Sequence, residues 1–555
     1  MQESVPSATQ SAMAVTLFDE WVRAGLADVV VCPGSRSTPL SLAASRCAGL
    51  RVHVRLDERS AGFFAIGRAL ASARPVVVVV TSGTAAAELH AAVAEADLAR
   101  VPLLVATADR PPELHGVGAA QTIDQRHLYG SMVRRFEEPG VARPEARATW
   151  RPMAARLWAA ATGLDAPPGP VHVNLAFVEP LVAEPSELVA GRPDGAAWMV
   201  ATRAPRRACD LDVAGRRVMA VVGAGAEAQV VADCATLDWV VVGDATARGA
   251  LAHADPLLRD DARAAQLAPD LVVRLGGLPA SRVVAERLRA WGAPVIALRG
   301  AGPVADPDGV VARSLDGVPD PSDARQRGDG AYAAAWRDLS AAAAQVVAEV
   351  EEREVGLSEV TVARAAVASS ARHAVPLVVG SSMPVRDVEW WAPARVAPTY
   401  ANRGANGIDG VVSTALGVGA GARSLGLVGD LTLLHDVSGL VEGLGGAGTC
   451  VLVVVDNGGG GIFSFLPQAQ ALGADEFERL FATPRGHDLV AVARGFGHAA
   501  TRASTRDELA AAIDAGLGAP GVTVVVAGVV SRSENVRRHD ELVEAIGRLE
   551  RSPSA

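Results

Sequence analysis

Ser424-Leu425-Gly426-Leu427-Val428-Gly429-Asp430-Leu431 and Cys450-Val451-Leu452-Val453-Val454-Val455-Asp456-Asn457-Gly458-Gly459 decide the fold. In each, an apolar run without strict alternation, as expected of a parallel strand covered on both faces, passes into a polar, glycine-containing turn. Both turns then face the carboxyl edge of one sheet, where open α/β folds bind ligands. Asp430 and the Asn457 amide offer hard oxygens, and the glycines let a backbone carbonyl and a diphosphate approach. That is the chemistry of an Mg²⁺-diphosphate site. The plain alternative is that Asp430 caps a helix starting near Thr432 and that Asp456-Asn457-Gly458 only turns the chain. Either block alone would fit that alternative; the pair at this spacing favours the ligand.

Upstream and downstream the same rhythm recurs. Strands are expected at Val29–Cys32, Val52–Leu56, Val76–Thr81, Leu103–Ala106 and Val171–Leu175, then, after a Pro/Gly/Ala-rich linker over Glu184–Arg207, at Val218–Val222, Trp239–Val242, Leu271–Leu275 and Pro294–Leu298. A polar region, Gly302–Gly330, and a helix, Ala331–Arg353, lead to a third block. That block has a helix at Ser358–Ser370 and strands at Leu377–Gly380, Val396–Tyr400, Leu425–Val428, Val451–Val455 and Val522–Ala527. The reading is an α/β protein of three doubly wound parallel-sheet domains, 1–185, 200–350 and 356–555, with duplicated architecture.

Composition narrows the chemistry. All 52 Lys+Arg residues are arginine, which removes Schiff-base lysines and the lysine of a Walker phosphate loop. A carboxylate-rich substrate must then be held by arginine forks. The net charge of −10 argues against a nucleic-acid surface. Five cysteines without metal spacing read as buried thiols in a reducing compartment. No apolar run is long enough to span a bilayer and residues 1–10 do not resemble a signal peptide, so a cytoplasmic location is expected. The histidines show no metal or triad spacing, His435-Asp436 reads as a helix-surface pair, and Gly223-Ala224-Gly225 as a simple turn.

Glu58, in Leu56-Asp57-Glu58-Arg59-Ser60-Ala61-Gly62-Phe63, sits where a strand gives way to a helix expected over Ala61–Leu70; alone it would be an ordinary first-turn carboxylate. Together with Gly429-Asp430 and Asn457, and with a further sheet between, it resembles the thiamine-diphosphate enzymes. Six blocks in order are similar to one branch of that superfamily, the menaquinone-pathway synthases: Cys32–Leu40, Thr81–Ala85, Thr107–Leu114, Gly118–Gln121, Asn402–Gly410 and Asn457–Phe463. The match runs from about Ala14 to Ala527 and is thin in the middle domain. Two motif positions depart from the superfamily pattern: Gly-Asp-Leu replaces Gly-Asp-Gly, and Asp456-Asn457 replaces Asn-Asn.

The resemblance implies thiamine diphosphate with Mg²⁺ or Mn²⁺ as cofactors. It implies decarboxylation of 2-oxoglutarate and conjugate addition of the succinic semialdehyde carbanion to isochorismate, in a homodimer at least, with tetramer as the larger option, and with active sites between subunits. Glu58 would hydrogen-bond the pyrimidine N1′ and be the catalytic residue. Ser382, Gly429, Asp430, Leu431, Asn457, Gly459, Ile462, Phe463 and, beneath the bent cofactor, Ile408 would bind the cofactor, with Asp430, Asn457 and the Gly459 carbonyl on the metal. Ser35, Arg36, Arg110, Gln121, Ser382, Arg386, Arg403, Phe463, Leu466 and Arg282 would bind the substrates; Arg282 stands where the family often has lysine. Arg274, Arg282 and Arg299 could hold a regulatory anion. The rival readings are another thiamine-diphosphate enzyme, such as an acetohydroxyacid synthase or a 2-oxoacid decarboxylase, and a non-catalytic nucleotide-binding or regulatory descendant. A membrane-surface protein finds no basic amphipathic helix in support.

Overall fold

The Val-rich runs become three all-parallel sheets in the computed structural model, which describes residues 5–164, 166–185, 187–200, 207–299 and 305–549. The linker expected over 184–207 and the polar region from 302 are therefore described only in part. In the first sheet β1 (Asp28–Val31), β2 (Arg51–Val54), β3 (Val76–Val80), β4 (Leu103–Asp109), β5 (Phe136–Glu137) and β6 (Val171–Ala176) lie in the order β2-β1-β3-β4-β6-β5. Every residue of β3 is fully buried, as a strand covered on both faces requires.

The second sheet orders β7 (Val218–Val222), β8 (Val240–Gly243), β9 (Leu271–Leu275), β10 (Val295–Arg299) and β11 (Val311–Asp316) as β11-β10-β9-β7-β8. The third holds β12 (Leu377–Val379), β13 (Thr399–Tyr400), β14 (Arg423–Gly429), β15 (Thr449–Asp456), β16 (Ala499–Ala503) and β17 (Gly521–Gly528), ordered β13-β12-β14-β15-β17-β16. Counted from its own first strand, this is the strand order of the first sheet, so the expected duplication is real. Edge strands β5, β11 and β16 were not expected: β11 and β16 are largely exposed and carry charged residues, and β5 has only two residues, so none shows the apolar run that marks a buried strand.

Two compact units result. The first comprises Met1–Ala204, Gly404–Ala422 and Asp436–Gly448; the second comprises Pro205–Arg403, Arg423–His435 and Thr449–Ala555. Within the first, the helix Val411–Gly419 lies against the helix Glu58–Ser72, and two glycines permit it. A Cβ on Gly67 would run into the Thr414 carbonyl oxygen, and one on Gly417 into that of Phe64. Arg68 adds a buried tie, donating to the carbonyl of Ala420 at 2.7 Å and to Asp28 at 3.1 Å. Asp436, expected on a helix surface, is instead fully buried and accepts from the Ser413 amide at 2.7 Å, at the start of Val411–Gly419. Its exposed neighbour His435 gave no sign of this, because burial of a lone acid depends on a partner distant in sequence. No helix among the described residues is long and apolar enough to cross a membrane.

Candidate active site

In the second unit, four adjacent strand ends carry the motifs. Asn402-Arg403 follows β13, Ser381-Ser382 follows β12, Gly429-Asp430 closes β14, and Asp456-Asn457 closes β15. Asp430 opens the short helix Asp430–His435, two residues earlier than the Thr432 start expected from sequence. Its Oδ1 accepts from the Leu431 amide and its Oδ2 from the Gly459 amide, both at 2.7 Å. Asn457 Oδ1 accepts from the same Gly459 N–H at 3.1 Å. Two hard oxygens thus converge on one point.

Burial pushes the Asp430 carboxyl up to about 6, against the pull of its two backbone N–H bonds, and no ion pair to it forms among the described residues. A desolvated carboxylate without a cation, beside an amide oxygen, fits a hard divalent ion. No cluster of three or more His, Cys, Asp or Glu side chains suited to a metal exists among the described residues. The remaining ligands would have to be carbonyl, diphosphate or water oxygens, which is the habit of Mg²⁺. The Gly459 carbonyl, expected on the metal, accepts from Gly461 N–H at 2.9 Å, which leaves one of its two lone pairs.

The arginines flank the acid side. Arg386 donates to the Ser382 carbonyl at 2.6 Å, and Ser382 itself holds φ +73° at the start of the helix Met383–Trp391. Burial, and next the charge of Arg403, hold the Arg386 guanidinium below its usual range. Arg403 is 12% exposed, its nearest acid oxygen on Asp244 is 3.9 Å away, and its Nε has no hydrogen-bond partner. Two partly desolvated guanidinium groups of like charge thus lie at neighbouring strand ends.

Behind Asn457 lies a residue that the sequence reading missed. Glu359, first residue of the helix Glu359–His373, is 2% exposed and accepts from Asn457 Nδ2 at 2.8 Å. Burial first, and then the charge of nearby Asp387, push its carboxyl above the ordinary range. The two residues are 98 positions apart, so no local pattern could have found the pair.

On the other side of Asn457, Arg532 at the start of the helix Arg532–Gly547 donates to the Gly458 carbonyl and pairs with Glu478. A cavity of about 460 Å³ opens there, lined by Asn457, Ser464, Phe477, Glu478, Ser531 and Arg532 among others. Ile462 and Phe463 lie in the 3₁₀ turn Gly461–Phe465 and Leu466 follows it; all three are half-buried, with Phe463 edge-to-face on Phe481 at 5.6 Å.

The first unit repeats the arrangement at its own strand ends. Glu58 follows β2, Ser35-Arg36 follows β1, Ser82 follows β3, Arg110 follows β4 and Phe177 follows β6. Glu58 opens the helix Glu58–Ser72, capped by Asp57, whose carboxylate accepts from Arg59 N–H at 2.9 Å. Burial raises the Glu58 carboxyl above its ordinary value, and the charges of Asp57 and Glu88 push the same way. That suits a group meant to share a proton.

Arg36 is buried and donates to the Phe177 carbonyl at 2.9 Å. Arg110 donates to Ser82 Oγ and, at 2.7 Å, to the carbonyl of Gln121, which holds φ +58°. Burial, and then the charge of nearby Arg36, depress Arg110. Ser35 is exposed beside them. Ile408 is half-buried in the segment 404–410, which clusters by contacts with this first unit.

The middle-sheet arginines behave differently. Arg282 is 87% exposed and pairs with Glu286 at 2.7 Å, Arg274 pairs with Asp306 at 3.2 Å, and Arg299 with Asp316 at 2.9 Å. Each thus has an acid beside it; the Arg282 and Arg299 pairs are exposed and weak, and the Arg274 pair is largely buried. Gly223 turns the chain against the Gly277 backbone, where a Cβ would not fit. The cysteines are free thiols, four of them buried.

Comparison with known proteins adds the following. Residues 13–128 match the family model described as thiamine pyrophosphate enzyme, N-terminal TPP binding domain, and residues 391–527 match the corresponding C-terminal TPP binding domain. A Myxococcus xanthus protein is 39% identical across 95% of this chain and 96% of its own length. One from Geobacillus kaustophilus is 37% identical across 97% and 98%, and one from Thermobifida fusca 42% across 91% and 93%. All three are named 2-succinyl-5-enolpyruvyl-6-hydroxy-3-cyclohexene-1-carboxylate synthase.

Proposed function

Because the chain belongs to the 2-succinyl-5-enolpyruvyl-6-hydroxy-3-cyclohexene-1-carboxylate synthase family of thiamine-diphosphate enzymes, we propose that Glu58 of one subunit and the Asp430-Asn457 pair of another grip a single cofactor in a cytoplasmic homodimer. The reaction is the decarboxylation of 2-oxoglutarate and conjugate addition of the remaining carbons to isochorismate, a step of menaquinone biosynthesis. The bound cofactor supplies the electron sink that makes both steps accessible.

This chain's residues do the rest. Asp430 and Asn457, completed by the Gly459 carbonyl, hold Mg²⁺ or Mn²⁺ against the diphosphate; the convergence of the Asp430 and Asn457 oxygens on the Gly459 amide is the observation that carries this reading. Gly429, Leu431, Ser382, Ile462, Phe463 and Ile408 shape the cofactor's bed. Glu58, desolvated and flanked by acids, holds a proton at the pyrimidine N1′ and so tunes a weak base. Arg36 and Arg110 with Ser35 and Gln121, and Arg386 and Arg403 with Ser382, pair with the substrate carboxylates, while Phe463 and Leu466 exclude water.

The test is direct. Purified protein with thiamine diphosphate, Mg²⁺, 2-oxoglutarate and isochorismate should release carbon dioxide and yield the succinyl-cyclohexene product by mass. Carbon dioxide release with no isochorismate adduct would mean a simple 2-oxoacid decarboxylase; neither product would mean a non-catalytic descendant.

A further inference from the structure

Glu359 is a buried first-turn carboxylate of the helix Glu359–His373, a position the helix dipole favours but which does not by itself require burial. One oxygen meets Asn457 Nδ2 at 2.8 Å, and the other, Oε2, has no hydrogen-bond partner. Keeping such a group desolvated is costly, and an apolar side chain at the head of this helix would not incur that cost. The cost is explained if the group acts on Asn457.

An asparagine amide can present either its oxygen or its NH₂ to a given neighbour, and only its surroundings decide which. Two surroundings agree here. Glu359 Oε1 takes the NH₂, and the Gly459 N–H takes Oδ1 at 3.1 Å; reversing the amide would set its NH₂ against that N–H. The backbone leaves room for the contact only because residue 461 is glycine: a Cβ there would lie 2.5 Å from Asn457 Nδ2 and 3.1 Å from Glu359 Oε1.

We propose that Glu359 is a positioning residue for the metal site, locking the Asn457 amide so that its oxygen faces the point on which Asp430 also converges. The proposal deepens the reading of Asp430 and Asn457 as metal ligands and rests on it. Partners of this kind, one step behind the ligands, typically change metal affinity ~10- to 100-fold when removed.

Mn²⁺ binding to the thiamine-diphosphate-loaded protein, followed by the electron paramagnetic resonance of free Mn²⁺, tests it, with circular dichroism as the check on folding. Glu359→Ala should weaken Mn²⁺ binding by ~10-fold or more at unchanged secondary structure. Asn457→Asp should weaken it too, because it sets carboxylate against carboxylate. The double variant Glu359→Gln with Asn457→Asp should bind Mn²⁺ more tightly than Asn457→Asp alone, since the new amide donates to the new carboxylate and leaves its other oxygen for the metal. A purely structural Glu359 predicts no such recovery.

Unchanged Mn²⁺ affinity in Glu359→Ala overturns the proposal. So does a double variant no better than Asn457→Asp, which remains measurable if the alanine variant does not fold. Failure of the wild-type protein to bind Mn²⁺ with the cofactor removes the metal assignment itself, and this proposal with it.

Discussion

Asp430 Oδ2 and Asn457 Oδ1, on the residues immediately after adjacent strands β14 and β15, accept from one and the same N–H, that of Gly459, at 2.7 and 3.1 Å. Strand pairing produces this coincidence. Gly429 is in register with Val455, so the residues just beyond the two strand ends emerge side by side. Sequence separation is irrelevant once the ladder is formed.

If that pair holds the cation that anchors the diphosphate, chelation should release the cofactor and Mg²⁺ should restore it. Asp430→Ala should lower thiamine-diphosphate retention in equilibrium dialysis by ~100-fold or more, since removing a ligand should cost at least as much as removing a supporting partner. Retention of the cofactor in excess chelator would remove the metal from the account.

Glu58→Gln keeps the shape and loses the acid. Carbon dioxide release from 2-oxoglutarate should fall by ~10²-fold or more, the range for a lost acid-base group, while the protein still folds and binds Mg²⁺. Undiminished release would show that the proton is handled elsewhere.

Arg386→Lys preserves charge but not the planar fork. Steady-state kinetics should show the KM of one carboxylate substrate rising by ~10-fold, about 1.4 kcal/mol, with the melting temperature little changed. An unchanged KM for both substrates would assign Arg386 to the fold alone, through its bond to the Ser382 carbonyl.

Gly417→Ala inserts a methyl group where the Phe64 carbonyl lies against the helix Val411–Gly419. Overpacking of this kind costs ~1–3 kcal/mol, so thermal unfolding should move clearly downward. No shift would mean that the helix Glu58–Ser72 and its neighbour can separate freely.

Burial, and then the charge of Asp244, push the Glu389 carboxyl up to about 8, although it accepts from the amides of Ala280 and Ser281 at 2.8 and 2.7 Å. A raised folded-state value means that the folded chain binds the proton more tightly than the unfolded one. The stability contributed by this group is therefore full below its ordinary value of 4.5 and is lost as pH rises toward 8. Melting curves of wild type and Glu389→Gln across that window should converge or cross as pH rises; a constant difference would contradict the shift.

Much of this was legible in the chain itself. Val76–Val80 and Cys450–Val455 announced fully covered strands, and the glycines and acids beyond them announced a crevice, because a strand's burial and its exit turn are local properties. What was not legible depends on neighbours far away in sequence. The edge strand β11 lacks an apolar run because its side chains are largely exposed on both faces, which depends on what packs over it. Asp436 looked like a surface residue until Ser413 covered it, and the acids beside Arg274 and Arg299 are 32 and 17 positions away.

By itself, then, the order of residues determined the fold class, the duplicated sheets and the cofactor motifs, since periodicity reports which faces need cover. Only tertiary structure decided what provides that cover. It set the helix Val411–Gly419 against Glu58–Ser72 through bare glycine surfaces, and it set Glu359 behind Asn457, 98 residues away, because packing and desolvation act through space and leave no mark on local sequence.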